Sequence, residues 1–196
     1  MIILASASPR RKKLLEQIGC KFKVMVSDAT EEMRQDLLPE KVVIRNARLK
    51  AMDVAAKTAA SVLGADTVVS LEGHIYGKPA NAYDARRMLK ILSGNIHEVS
   101  TGIALVRGNG IWTDVVTTKV KFCVLSDTVI DDYIASKEPF DKAGAYAIQG
   151  RAAAFIERIE GCYSNVVGLP LYCLTVLAKE AGVNLYDDNG EVFTRR

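Results

Sequence analysis

Histidine is scarce in this chain. His74 and His97 are the only two in 196 residues and lie on separate segments, which leaves little from which to build a histidine-based zinc site or a Ser-His-Asp triad. The four cysteines, Cys20, Cys123, Cys162 and Cys173, form no CxxC pair and read as reduced, mostly buried thiols rather than a disulfide framework. No apolar run approaches the ~20 residues of a membrane span. The N-terminal MIILA is too short for a secretory signal and has its positive charges on the wrong side. An excess of one charge sign is also missing. Lys and Arg number 26 against 23 Asp and Glu, a formal net charge of +3, which argues against bulk nucleic-acid binding. These absences predict a cytoplasmic protein with no membrane partner, whose chemistry must run on carboxylates, lysines, arginines and hydroxyls.

What is present is an ordinary globular composition, 49% hydrophobic and 25% charged, enough to bury a full core. MIILA predicts a buried strand, followed by a helix with Ser8 as N-cap, Pro9 in its first position and Gly19 beyond its end. KFKVMV (21–26) predicts a second strand, and 39 to about 60 a helix rich in Ala, Lys and Arg. Then come a strand over 61–69 carrying one acid, a short strand in EGHIYGKP, and a helix ending on Gly94. HEVSTGIALV, GIWTDVV and TKVKFCVL predict three strands. Ser126 caps a further helix, AAAFIERI reads as a strand, and a last helix runs from Pro170 to Ala181. Strands and helices alternate around a central β-meander, which predicts one α/β domain over 1–196 with a mixed, twisted sheet.

Several stretches could carry chemistry. SASPRR (6–11) puts Arg10 and Arg11 in a first helical turn, where acids are preferred. It reads either as an anion-binding helix start or as a solvated basic face. Asp66, in LGADTVVS, falls within a buried strand, where a carboxylate is costly unless it meets a metal, a cation or hydrogen-bond donors. It is either a paired structural acid or a metal-binding or water-activating one. Lys78, in GKP, is a point charge for phosphate or part of a surface turn. Glu31 and Glu32 are a magnesium or base candidate or simply solvated. Gln149, between the glycines of DKAGAYAIQG, faces a base edge or a structural hydrogen bond, and Tyr146 stacks or belongs to the core.

Taken together, LASASPRRKKLLEQIG, GADTVVS...GKP, ARRMLKILSGNIHEVSTG, EPFDKAGAYAIQG and YSNVVGLPL closely resemble the Maf family of nucleoside triphosphate pyrophosphatases, historically called septum formation inhibitors. The likeness runs in order to about Leu171. It implies an elongated mixed α/β fold with two lobes around a central cleft, similar to the inosine triphosphate pyrophosphatases, and a homodimer. It also implies hydrolysis between the α and β phosphates, with a divalent cation, Mg2+ or Mn2+. Residue by residue, it assigns Ser6, Arg10, Arg11, Lys50 and Gln149 to substrate binding and Asp66, Glu32 and Lys78 to catalysis. Glu32 and Asp66 are the metal ligands, with Glu31 the alternative to Glu32.

KAGAYxIQG and VVGLPL resemble the branch acting on dTTP and UTP, whereas the 7-methyl-GTP branch usually has GSDQ where this chain has GADT. Ala147 stands where the dTTP/UTP branch usually has glycine, and a positive φ there would cost about 1 kcal/mol. The rival expectation from another class is a non-catalytic nucleotide-binding regulator of cell division. Acids clustered with lysines favour an enzyme, because an anion binder gains nothing from carboxylates beside phosphate.

Overall fold

A computed structural model describes residues 1–186. The apolar N-terminal run forms β1 (Ile2–Leu4), buried along its whole length. It lies parallel to β2 (Phe22–Val24) on one side and to the start of β3 (Val62–Leu71) on the other. Helix α1 (Pro9–Gln17) connects β1 to β2, and α2 (Pro39–Ala55) connects β2 to β3. Beyond β3 the sheet turns antiparallel: β4 (His74–Tyr76), then α3 (Ala82–Leu92), then the long hairpin of β5 (Ile96–Arg107) and β6 (Gly110–Phe122). Helix α4 (Asp127–Ala135), β7 (Ile156–Glu160), α5 (Tyr163–Val167) and α6 (Leu171–Glu180) complete the order. The strands form one seven-stranded mixed sheet, β2-β1-β3-β5-β6-β7, with β4 also on β3.

One detail of this topology opens the cleft. Strands β1 and β4 share one edge of β3: β1 pairs with Val62 and Leu63, and β4 with Val69 to Leu71. Between them, residues 64–68 of β3 have no strand partner on that side, while on the other side they pair continuously with β5. Each side of the gap has its own core. One gathers Ile2, Leu4, Leu15, Leu63, Ile103 and Leu174 beneath α1 and α6. The other gathers Leu89, Leu92, Phe122, Ile130, Tyr133 and Phe155 beneath α3 and α4. These two clusters flank the gap on one continuous sheet, and two smaller clusters lie against α2.

Alternation along β3 decides what each residue faces. Leu63 and Ala65 belong to the core beneath α1 and α6, so Gly64, Asp66 and Val68 face α2, where Val68 packs with Val42 and Val43. Helix α2 approaches the sheet closely because glycines lie beneath it. A Cβ on Gly64 would stand 2.2 Å from the Ala47 carbonyl oxygen, and one on Gly102 would stand 2.6 Å from the Ile44 nitrogen. Gly102 is also the β5 partner of Asp66.

Differences from the expected elements are local. GIWTDVV and the TKVKF of TKVKFCVL form one strand, β6, ending at Phe122, because no glycine or proline interrupts the run of valines and threonines and the pairing with β5 is continuous. Only the second half of AAAFIERI is a strand. Arg151–Phe155 forms a 3-10 turn, since three successive alanines lack the branching that favours a pleated chain. Helix α2 stops at Ala55, and α5 is a short helix between the expected AAAFIERI strand and the last helix, where the sequence assigned no element.

The close approach of α2 gives a stability prediction. Gly64→Ala is expected to destabilise the fold by about 3 kcal/mol, since backbone rather than a flexible side chain blocks the new methyl. Urea denaturation of the two proteins measures it.

Candidate active site

A cavity of about 660 Å³ opens at the carboxyl end of β1, over the unpartnered edge of β3. This is where ligands sit in sheets with parallel strands, and its size suits a small-molecule ligand. Its walls come from the β1–α1 turn, the loop before α2, the middle of β3, the Gly77–Lys78 turn and residues 141–149. Ser6, Arg10, Arg11, Glu31, Lys50, Asp66, Lys78 and Gln149 all line it.

The β1–α1 turn builds one wall. Ser8 caps α1 by accepting from the Arg11 N–H, and no acidic residue lies in the first turn. The Arg11 side chain folds back and is only 8% exposed. Its Nε donates to the Gly168 carbonyl at 2.8 Å, Nη1 to Ser6 Oγ at 3.0 Å, and Nη2 to Thr67 Oγ1 at 3.0 Å. Thr67 Oγ1 lies 2.9 Å from Thr101 Oγ1, which donates to the Asn165 carbonyl at 3.0 Å. That bond leaves the Thr67 proton for Thr101 and a Thr67 lone pair for Arg11. All three partners of this guanidinium are neutral oxygens, and it makes no salt bridge among the described residues. Burial pulls the Arg11 pKa down, and Asp66 and then Glu31 oppose the shift. The group stays charged. Arg10 reaches across the cleft, with Nη1 3.7 Å from Asp141 Oδ2.

The opposite wall is acidic. Asp66, 5% exposed, receives Lys50 Nζ on Oδ1 at 2.7 Å and Asn46 Nδ2 on Oδ2 at 2.9 Å. The same ammonium lies 2.6 Å from Glu31 Oε1, so Lys50 joins two carboxylates from different elements. Partial burial pushes the Glu31 carboxyl up, but Lys50, then Lys78 and Arg11, hold it below the usual glutamate value. Glu32, the expected ligand, points elsewhere. Its carboxylate lies on Arg45, with Nε 2.8 Å away, and it does not line the cavity. Within Glu31–Glu32 the structure puts the first acid in the cleft. Neighbouring residues of this loop face opposite ways, and its fold could not be read from the sequence. Lys78 and Gln149 stand exposed at the rim. Lys78 makes no hydrogen bond or salt bridge among the described residues.

Two carboxylates converging on one ammonium form a donor set that also suits a hard divalent cation. Magnesium typically takes one or two carboxylates and completes its shell with water and substrate phosphate. Among the described residues no group of three or more His, Cys, Asp or Glu is placed to hold a metal ion; Glu31 and Asp66 are the two carboxylates that meet on Lys50 in this cavity.

Sequence reasoning missed Asn46, Thr67 and Thr101. Asn46 had a usable signal, since it precedes Lys50 by four residues and so shares its helix face. Thr67 had one too, because alternation aims it opposite to Asp66. Ala147 is not among the residues with positive φ, so its methyl costs nothing there. It is Ala145 that sits in the left-handed region, at φ 60, directly after Gly144 at φ 66. Tyr146 belongs both to the cavity wall and to the second core. Its hydroxyl lies 2.7 Å from His97 Nε2.

Residues 1–181 match the family described as Maf-like protein. A dTTP/UTP pyrophosphatase of Geotalea uraniireducens is 54% identical over 87% of this chain and 89% of its own. That of Acetivibrio thermocellus is 50% identical over 94% and 96%. That of Thermococcus gammatolerans is 47% identical over 87% and 91%. Among solved structures, a HAM1 protein from Coxiella burnetii aligns with TM-score 0.44 at 16% identity, covering 62% of this chain and 72% of that one.

The buried His97 gives a pH prediction. Desolvation lowers its pKa to about 3 from an ordinary 6.5. Between these values the unfolded chain binds a proton that the folded protein refuses. Stability is therefore full above about pH 6.5 and falls as pH drops through the window, by up to about 1.4 kcal/mol per unit. Urea midpoints at pH 7 and pH 5 should fall further for the wild type than for His97→Gln.

Proposed function

The chain is a member of the Maf family, and on that footing we propose that it hydrolyses dTTP and UTP between the α and β phosphates, releasing the nucleoside monophosphate and pyrophosphate. The observation that carries this is the charge arrangement across one cavity. A buried guanidinium that makes no salt bridge among the described residues lines the same cavity as two carboxylates that share a lysine. A triphosphate with its attacking water uses both walls. The names of relatives 47% to 54% identical support the choice of nucleotide.

In this mechanism the phosphate chain lies against the N-terminus of α1, whose free N–H groups and dipole favour anions. Arg11 and Ser6 hold it from within, and Arg10 and Lys78 from the rim. Lys50 keeps Asp66 in place and adds positive charge beside the reacting phosphorus. Asp66, in the role of base, takes a proton from a water aligned with the α-phosphorus. The new P–O bond forms as the bond from the α-phosphorus to the bridging oxygen breaks, and the electron pair leaves on pyrophosphate. Arginines and lysines around the cleft stabilise that growing charge, the main task in phosphoryl transfer. Glu31 and Asp66 are the residues that would hold a divalent cation. Such an ion, when bound, neutralises phosphate charge and acidifies water. Gln149 meets the pyrimidine edge or orders the loop above it.

A charge-assisted contact is worth about 1.5–3 kcal/mol, so losing one that forms only in the transition state costs roughly ten- to a hundredfold in rate. With dTTP and magnesium, the expected product is pyrophosphate and not orthophosphate. Asp66→Asn is expected to lose about 10²–10⁴-fold in kcat while still folding by circular dichroism, and Lys78→Ala to lose at least tenfold with the thermal melt of the parent. Wild-type turnover by folded Asp66→Asn would refute the assignment of the base. Orthophosphate as product would indicate terminal-phosphate cleavage, and no product from dTTP, UTP or 7-methyl-GTP would indicate a binding protein.

A further inference from the structure

Asn46 makes more contacts than one carboxylate requires. It is 1% exposed, on the face of α2 that meets β3. Its Oδ1 accepts the backbone N–H of Glu32 at 2.9 Å, and its Nδ2 donates to the carbonyl of the same residue at 3.1 Å and to Asp66 Oδ2 at 2.9 Å. Both amide protons and the amide oxygen are thus used, and the orientation is unique. The Glu32 N–H can only donate and the Asp66 carboxylate can only accept, so a flipped amide would fail both.

The side chain pairs with the Glu32 backbone much as a neighbouring strand would. The surrounding residues, 25–38, contain no helix or strand, and Glu31 is the residue next to the one gripped. The other anchors of this loop lie farther off. Ser27 and Asp28 bond to Asp53, and the Gln35 amide pairs with the backbone of Ile75. The Arg45–Glu32 ion pair is exposed and solvent-screened.

We infer that Asn46 is a positioning residue for the hydrolytic reaction: it holds the Glu31 loop against Asp66, so that the two carboxylates converge on one point. Without it, Lys50 alone would link them, and a flexible ammonium restrains direction poorly. The inference rests on the hydrolytic function proposed above, but its structural half can be measured without turnover.

Asn46→Leu keeps the branched outline of the side chain, with bulkier methyls, and removes all three hydrogen bonds. With dTTP and magnesium it should lower kcat tenfold or more while KM stays within threefold, because Arg10, Arg11 and Lys78 are untouched. In a Glu31→Ala background the same substitution should cost at least threefold less, since its effect is exerted largely through Glu31. Asn46→Ser serves in the same assays if circular dichroism shows the leucine variant unfolded. In the wild type, hydrogen exchange by NMR should show the Glu32 amide protected, with Glu31 and Met33 exchanging fast. Wild-type kcat in a folded variant, an undiminished loss in the Glu31→Ala background, or a Glu32 amide exchanging as fast as Met33 would each overturn the inference. A wild-type protein that releases no pyrophosphate would instead overturn the hydrolytic function, and exchange would still decide whether Asn46 holds the loop.

Discussion

The need to pair one negative charge inside a sheet governs much of this structure. Asp66 sits in the middle of β3, where solvation is largely lost and an isolated carboxylate would be prohibitive. Its compensation comes from a single helix: Lys50 and Asn46 are one turn apart on α2. For those short reaches to succeed, α2 must lie almost on the sheet backbone, and Gly64 and Gly102 provide the room. The loop before α2 is drawn into the same network through Glu31 and Glu32. Helix position, glycine placement and loop path are therefore linked consequences of one buried acid.

The opposite wall solves the inverse problem differently. Arg11 is as deeply buried as many core residues, yet its partners are a carbonyl and two hydroxyls. Dipoles solvate the guanidinium without cancelling its charge. The cleft thus holds a net demand for anion on one side and a satisfied acidic cluster on the other. Such an arrangement of charge favours a polyanionic ligand over a neutral one independently of any contact to a base.

Much of this was legible in the sequence because it depends on local rules. Ser8, Pro9 and Gly19 marked the limits of α1, and the two arginines that break the preference for acids in a first turn do line the cavity. Asp66 could be recognised because an acid in an apolar strand has few inexpensive explanations. The choice between Glu31 and Glu32 was not legible, since it depends on the path of an irregular loop whose anchors, Asn46, Asp53 and Ile75, are distant in sequence. The fused β6 was missed for a related reason, because only the register with β5 shows that GIWTDVV and the TKVKF of TKVKFCVL are one strand. Arg11 could be placed at the cleft, but not its burial, which requires the carbonyl of Gly168 from the far end of the chain.

The arrangement of β1 and β4 end to end along β3 has a mechanical side. Strands β3, β5 and β6 pass beneath both cores without a break in their pairing. Widening or narrowing the cleft as a whole means twisting a continuous hydrogen-bonded ribbon, a stiff deformation distributed over many residues. The segments that rise from this floor without strand pairing are residues 25–38 on one bank and 137–150 on the other. The floor carrying Asp66 is an anvil, braced by strand pairing along its length.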